Sequence, residues 1–243
     1  MTSVDPTCPV PNNMTPLQDP LEELLAFCLA LPLRPTSMHP RPYILSVEGN
    51  IGAGKTSLLD QLELRVDPHR VVVVREPVET WMQLTDPTNG ESILQKFYKC
   101  PAVYSFTFQT VVFHSIMQSI DEAIATHPEC EIIVCERSLA ASRHVFCAIL
   151  KEANQISAFE MNIYESFFTP SVMERYYPDT VFFLDVDPSV CMERIQKRDR
   201  KGEEDISLEY LVKLDHTYRQ WLSEYTREFL EHVPRPPLTP VHI

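Results

Sequence analysis

No apolar run in this chain reaches the roughly 18 residues that a membrane span requires. The longest candidate, Leu24 to Leu33, is short and follows Glu22 and Glu23, whereas a secretory signal carries positive charge before its apolar core. Arginine is absent before Arg34, which argues against a mitochondrial presequence. Cysteines are present, seven of them, but the count is odd and no pair is spaced as CxxC. That pattern excludes a disulfide framework or a zinc site and points to free thiols in a reducing compartment. Positive charge is also short: 21 Lys and Arg against 34 Asp and Glu leave a net charge of −13. An acidic surface disfavours nucleic acid or an anionic membrane as the main partner. These absences together predict a cytoplasmic or nuclear location. Glycine is scarce as well, with five in 243 residues, so any cluster of them carries information.

What is present has ordinary globular composition, with 44% hydrophobic and 23% charged residues. The length suits one α/β domain plus a tail. Residues 1–42 are rich in Pro, Thr, Ser and Asn and read as a mostly disordered extension. Only Leu17 to Leu31 has helical character there, with Asp19 as N-cap and Pro20 behind it. From Tyr43 onward, over residues 43–243, short apolar runs alternate with longer helical stretches. The runs are Tyr43–Val47, Val71–Val74, Ile132–Cys135, Val181–Val186 and Val241–Ile243. Runs apolar on both faces are the mark of buried parallel strands. Pro101 reads as the first residue of one helix, and Asp187–Pro188 as cap and first residue of another. The predicted architecture is therefore α/β, a parallel sheet flanked by helices on both faces, with ligands bound beyond the carboxyl ends of the strands.

Three of the five glycines fall in Gly49-Asn50-Ile51-Gly52-Ala53-Gly54-Lys55-Thr56, which matches GxxxxGK[ST] between a strand and a helical run. Such glycines let successive backbone N–H groups turn inward as an anion nest, and the helix N-terminus adds partial positive charge. Lys55 is expected to reach the β- and γ-phosphates of a nucleoside triphosphate and Thr56 to ligate Mg²⁺.

Two carboxylates follow strands. Glu76, after Val71–Val74, either accepts a proton from an attacking hydroxyl or caps the helix after Pro77. Glu136, after Ile132–Cys135, sits where Mg²⁺ or its waters are held, unless it forms a surface ion pair with Arg137. Ser138 is placed to cap the helix that follows. Arg194, Lys197, Arg198, Arg200 and Lys201 end one helical run. They read as a lid over the transferring phosphate, with a solvated helix face as the alternative. On the helix from Pro101, Phe106, Gln109, Phe113, Ile116 and Ile120 form one stripe, and Gln109 interrupts it. A buried amide needs partners; a nucleobase edge, or protein and water, would supply them.

Taken together, the P-loop preceded by Gly-Asn, Glu-Pro-Val-x-x-Trp (Glu76–Trp81), Ser-Phe-Thr-Phe-Gln-Thr (Ser105–Thr110), Glu-Arg-Ser (Glu136–Ser138) and Arg-x-x-x-Arg-x-Arg (Arg194, Arg198, Arg200) resemble the deoxynucleoside kinase family. The resemblance covers about Tyr43 to Ile243. It implies a five-stranded parallel sheet, usually in a homodimer, that binds ATP with Mg²⁺ and phosphorylates a deoxynucleoside 5′-hydroxyl for nucleotide salvage. It implies Glu76 as general base, Arg137 as its partner and Glu136 as the acid holding Mg²⁺. Gln109 matches the residue that pairs with the base and Phe146 the ring that stacks on it, with Trp81, Ile51 and Phe108 as further wall. Tyr98 and Glu203 match the pair that holds the sugar 3′-hydroxyl. Members favouring deoxycytidine or purines carry Arg where this chain has Ile116 and Asp where it has Ser142. The uncharged pair resembles that of thymidine-accepting members, so thymidine is the expected substrate and deoxycytidine a further one. The rivals are a thymidylate-type monophosphate kinase and a silent nucleotide-binding subunit. Glu76 would repel a monophosphate, and the retained Lys55, Glu76 and Arg137 argue against silence.

Overall fold

A computed structural model describes residues 19–31, 41–200 and 203–232. In chain order the elements are α1 (Pro20–Ala30), β1 (Tyr43–Gly49), α2 (Lys55–Glu63), β2 (Val71–Val74), α3 (Val78–Gln83), α4 (Ile93–Lys99), α5 (Pro101–Thr126) and β3 (Ile132–Glu136). Then come α6 (Leu139–Ala141), a π-helical turn (Ser142–Phe146), α7 (Cys147–Glu152), α8 (Ala158–Ser166), α9 (Pro170–Tyr176), β4 (Thr180–Leu184), α10 (Pro188–Arg198) and α11 (Leu208–His232). Among the described residues the sheet has four parallel strands in the order β2-β3-β1-β4. The fifth strand expected at Val241–Ile243 lies outside the described residues. No helix among the described residues is long and apolar enough to cross a membrane.

Alternation along the strands divides the interior into two cores. In β1, Leu45 and Val47 face one side and Ile44 the other; in β3, Ile132 and Val134 oppose Ile133 and Cys135. Successive side chains point to opposite faces of a strand, so a sheet covered on both sides is apolar at every position. The first core takes residues from α1, α2, α10 and α11, and the second takes residues from α5 and α8.

The helix boundaries follow local chemistry. Asp19 accepts the amide of Leu21 at 3.0 Å ahead of Pro20, and Asp187 accepts that of Ser189 at 2.8 Å ahead of Pro188. Pro101 opens α5. Proline suits these positions because its missing N–H would have no helical partner there.

The expectation of a mostly disordered extension needs correction for α1. Leu21, Leu24, Leu25 and Cys28 are buried in the first core beside Leu58, Leu59 and Leu62 of α2. Each buried leucine contributes about 1.5–3 kcal/mol, so this short stretch is part of the packed body. The helix and its Asp19 cap were legible in the sequence; its packing against α2 was not, because composition does not show which surface a helix covers. Residues 1–18 and 32–40, the remainder of the extension, lie outside the described residues.

Candidate active site

The strands of a parallel sheet deliver their carboxyl ends to one edge, and here a cleft of about 1590 Å³ opens there. Its floor is the loop between β1 and α2. Gly52 has φ +81°, and a Cβ there would stand 2.6 Å from the backbone oxygen of Cys191 in α10. Only glycine meets both constraints. Asn50 ties the loop to α11 through a 2.8 Å bond from Nδ2 to the Leu211 carbonyl. Lys55 Nζ donates to the carbonyls of Gly49 (3.1 Å) and Asn50 (2.9 Å). Burial, with Arg137 nearby, pushes its pKa down to about 8 against the pull of Glu76, Glu136 and Glu48. A phosphate arriving beside it would restore its full charge.

Thr56 Oγ1 donates to Glu136 Oε1 at 2.6 Å. A hydroxyl and a carboxylate at this distance supply the hard oxygen donors that Mg²⁺ prefers, and Mg²⁺ takes few protein ligands because it keeps waters and phosphate oxygens. The pair therefore fits that ion. Among the described residues no group of three or more His, Cys, Asp or Glu is placed to hold a metal ion.

Glu76 and Arg137 meet above the loop, with Arg137 Nε 2.7 Å from Glu76 Oε1. Two open readings are decided here. Glu76 does not cap α3, whose cap position is Pro77, without a side-chain bond. Nor is Arg137 a surface partner of Glu136: it is 5% exposed and reaches the other carboxylate. Its backbone has φ +70°, a conformation costly by about 1–3 kcal/mol for a non-glycine residue and often kept at functional sites. Ser138 next to it caps α6 as expected, accepting the amide of Ala141 at 3.2 Å.

Behind this pair lie residues that sequence reasoning missed. Arg137 Nη1 donates to Tyr218 OH at 2.6 Å. Tyr218 OH donates to Glu48 Oε2 at 3.1 Å, and Ser138 Oγ donates to Glu48 Oε1 at 2.6 Å. Phe146 lies under the guanidinium, 4.5 Å from ring centroid to Cζ. Burial raises the pKa of Glu48, opposed chiefly by Arg137. For Arg137 burial opposes the charge, but Glu76, Tyr218 and Glu48 outweigh it and hold the pKa above its ordinary value. The only signal for Glu48 was a carboxylate inside an apolar strand; nothing local marks Tyr218.

The lid arginines divide. Arg194 Nη1 reaches the P-loop, 2.8 Å from the Ala53 carbonyl. Arg198 makes a two-pronged bond to Glu203 at 2.8 and 2.7 Å, and Arg200 reaches it at 3.5 Å. All three arginines line the cleft yet remain exposed; Lys197 is exposed and does not line it, and Lys201 lies outside the described residues. Glu203 and Tyr98 line the same cleft, and burial, followed by Tyr210 and Glu203, keeps the Tyr98 phenol protonated.

The inner end of the cleft is aromatic. Phe97 stacks on Phe108 at 4.7 Å, Trp81 meets Phe108 edge-on at 5.3 Å, and Trp81 Nε1 donates to Ser115 Oγ at 2.9 Å. Ile51 and Phe146 complete the wall. Gln109 is buried and lines the cleft, with its Oε1 accepting from Ser142 Oγ at 3.0 Å. Phe106 and Phe113, placed in its stripe by sequence, are only half-buried; Phe108 and Val112 turn inward instead. Ile116 is packed in the second core and does not line the cleft, whereas Ser142 does. Two turns along α5 from Gln109, Ile116 packs among the apolar residues of the second core.

Residues 45–238 match the deoxynucleoside kinase family. The chain is 33% identical over 223 residues to "Deoxycytidine kinase 2" of Gallus gallus, covering 82% of each chain. It is 33% identical over 190 residues to "Thymidine kinase" of Ictalurid herpesvirus 1 (strain Auburn), covering 78% of each. It is 30% identical over 200 residues to "Deoxyguanosine kinase, mitochondrial" of Xenopus laevis, covering 76% of this chain and 74% of that one. With a phosphate loop, a partly buried carboxylate–arginine pair and an aromatic pocket assembled at one sheet edge, and with this match over most of its length, the chain belongs to the deoxynucleoside kinase family of P-loop phosphotransferases.

Proposed function

We propose that the protein phosphorylates the 5′-hydroxyl of a pyrimidine deoxynucleoside, thymidine first, with Mg·ATP as donor. The observation that carries the reading is the placement of Gln109 and Ser142, two uncharged polar side chains, at the inner end of the cleft, with Glu76 nearer the P-loop. A carbonyl-bearing base edge meets no charge there that would have to be desolvated.

Glu76 accepts the 5′-hydroxyl proton as that oxygen attacks the γ-phosphorus and the bond to the ADP oxygen breaks. Arg137 holds Glu76 and keeps it oriented. Lys55, Arg194, Arg198 and Arg200 meet the charge that spreads over the phosphoryl oxygens; in phosphoryl transfer, positioning and electrostatics supply most of the rate. Thr56 and Glu136 would hold Mg²⁺, which would offset negative charge on the phosphates. Tyr98 and Glu203 orient the sugar 3′-hydroxyl, which requires Glu203 to give up part of its hold on Arg198.

Turnover of thymidine, deoxycytidine, deoxyadenosine, deoxyguanosine and dTMP with ATP, beside a Glu76→Gln variant, tests the proposal. Thymidine turnover that falls at least a hundredfold in a folded Glu76→Gln protein is the expected result, on the order of what a positioned base contributes. Activity on dTMP alone would replace this reading with a monophosphate kinase.

A further inference from the structure

Glu48 is a carboxylate that the steps above do not use. It is fully buried, at 0% exposure, one residue before the glycine that opens the phosphate loop. Taking a charged group out of water is costly, and an apolar side chain of similar size is often no worse for stability. Its placement therefore has a reason outside packing.

Both of its oxygens are held by hydroxyls. Ser138 Oγ donates to Oε1 at 2.6 Å and Tyr218 OH to Oε2 at 3.1 Å. Each hydroxyl has a second bond, in which it accepts. Tyr218 accepts from Arg137 Nη1 at 2.6 Å, and Ser138 accepts the Ala141 amide at 3.2 Å. A hydroxyl has one proton to give, and an ionised carboxylate only accepts. Glu48 thus draws both protons toward itself and leaves both hydroxyls with lone pairs turned the other way. That polarity lets Tyr218 serve a guanidinium, which can only donate.

Both arms end on Arg137. Through Tyr218, Glu48 holds the guanidinium whose Nε donates to Glu76 at 2.7 Å. Through Ser138, the next residue in the chain, it pins the backbone that carries the φ of +70° at Arg137. The Arg137 amide is also tied, at 3.1 Å, to the carbonyl of Val47, the residue before Glu48. Charge reinforces geometry, since Arg137 is foremost among the groups that oppose the cost of burying Glu48.

We propose that Glu48 is a positioning residue for phosphoryl transfer, which orients Arg137, and through it Glu76, relative to the phosphate loop that begins at Gly49. The inference rests on the proposed role of Glu76 as base and adds the group that fixes that base against the donor loop. Loop and base follow different strands, β1 and β2, and in-line transfer needs the two held in one register.

The test is kcat, with the deoxynucleoside that the wild type turns over fastest, in wild type, Glu48→Gln, Glu76→Gln and the double variant. A carboxamide accepts at one end only, so in Glu48→Gln one hydroxyl loses its acceptor and Arg137 loses one arm. The expected result is a kcat about tenfold lower, with the KM for nucleoside and for ATP within about twofold of wild type. In the Glu76→Gln background, where no base remains to be oriented, the same substitution is expected to change kcat by less than about twofold. Thermal melting verifies that each variant is folded. If Glu48→Gln does not fold, Tyr218→Phe and Ser138→Ala, which each cut one arm, are read in the same two backgrounds with the same expectation. Equal slowing in both backgrounds would make Glu48 a purely structural residue and overturn the proposal, as would an unchanged kcat in Glu48→Gln or a raised KM for ATP at full kcat. A Glu76→Gln protein as fast as wild type would instead remove the base itself, and the proposed function's mechanism with it.

Discussion

Arg137 and Tyr218 are joined by a 2.6 Å hydrogen bond across 81 positions of sequence, and that bond lets the tyrosine fix the far side of the guanidinium whose near side grips Glu76. An arginine fork has few ways to satisfy two partners at once, so its plane is set once both are in place. Tyr218 passes its own proton toward Glu48, which completes a line from the cleft to the buried end of β1.

Tyr218→Phe is expected to lower kcat about tenfold with little change in the thymidine KM, since one hydrogen bond to a charged group is worth about 1.5–3 kcal/mol and only part of it bears on the transition state. Steady-state kinetics check this. A rise in KM with kcat intact would mean that Tyr218 shapes the nucleoside site rather than Arg137.

Gly52→Ala places a Cβ 2.6 Å from the Cys191 carbonyl, at a φ of +81°. The loop must shift away from α10, and its inward-turned amides shift with it. The expected result is a protein destabilised by about 1–3 kcal/mol whose KM for ATP rises more than its KM for nucleoside. Urea unfolding and a two-substrate kinetic matrix would show both effects.

Leu24 is fully buried in the first core. Leu24→Ala should cost about 2–5 kcal/mol, read as a lower denaturation midpoint with an unchanged slope. A loss below about 0.5 kcal/mol would mean that α1 is not part of the cooperative unit.

Burial pushes the thiol of Cys28 up to about 11 and those of Cys135 and Cys147 up to about 12. Cys130 and Cys191 are raised as well, again chiefly by burial. Thiolate is the reactive form and a raised pKa depletes it at neutral pH. Among the described cysteines, Cys100 alone is exposed. Mass spectrometry after brief alkylation at pH 8 should find it modified and the five buried ones protected until denaturant is added. Early labelling of Cys147 would show that the core around Tyr164 opens readily.

Local chemistry made much of this molecule legible from its sequence. The phosphate loop depends on contiguous residues and the helix behind them, so it could be read without knowing the fold. Strand periodicity placed four strands correctly, and with them Glu76, Glu136 and Arg137, because strand ends in a parallel sheet converge on one edge. Asp19, Ser138 and Asp187 were readable as caps because a cap acts within its own turn.

Packing decided the remainder. No local rule indicates whether an apolar helix in a Pro-rich segment finds a surface to cover, and α1 found one against α2. Gln109 announced itself as a polar residue in an apolar stripe, yet its partner Ser142 is 33 positions away, and Tyr164, which bonds Ser142 in turn, is a further 22. Ile116 shares its helix face but packs in the second core instead of the cleft wall. By itself, the sequence determined the phosphate loop, the alternation of strands and helices, and the charges brought to the sheet edge, since each follows from neighbours in the chain. Only the tertiary structure decided which carboxylate Arg137 grips, what stands behind it, and how the Gln109 amide is held. Those are contacts between side chains far apart in sequence, and their energies exist only once the two cores have closed.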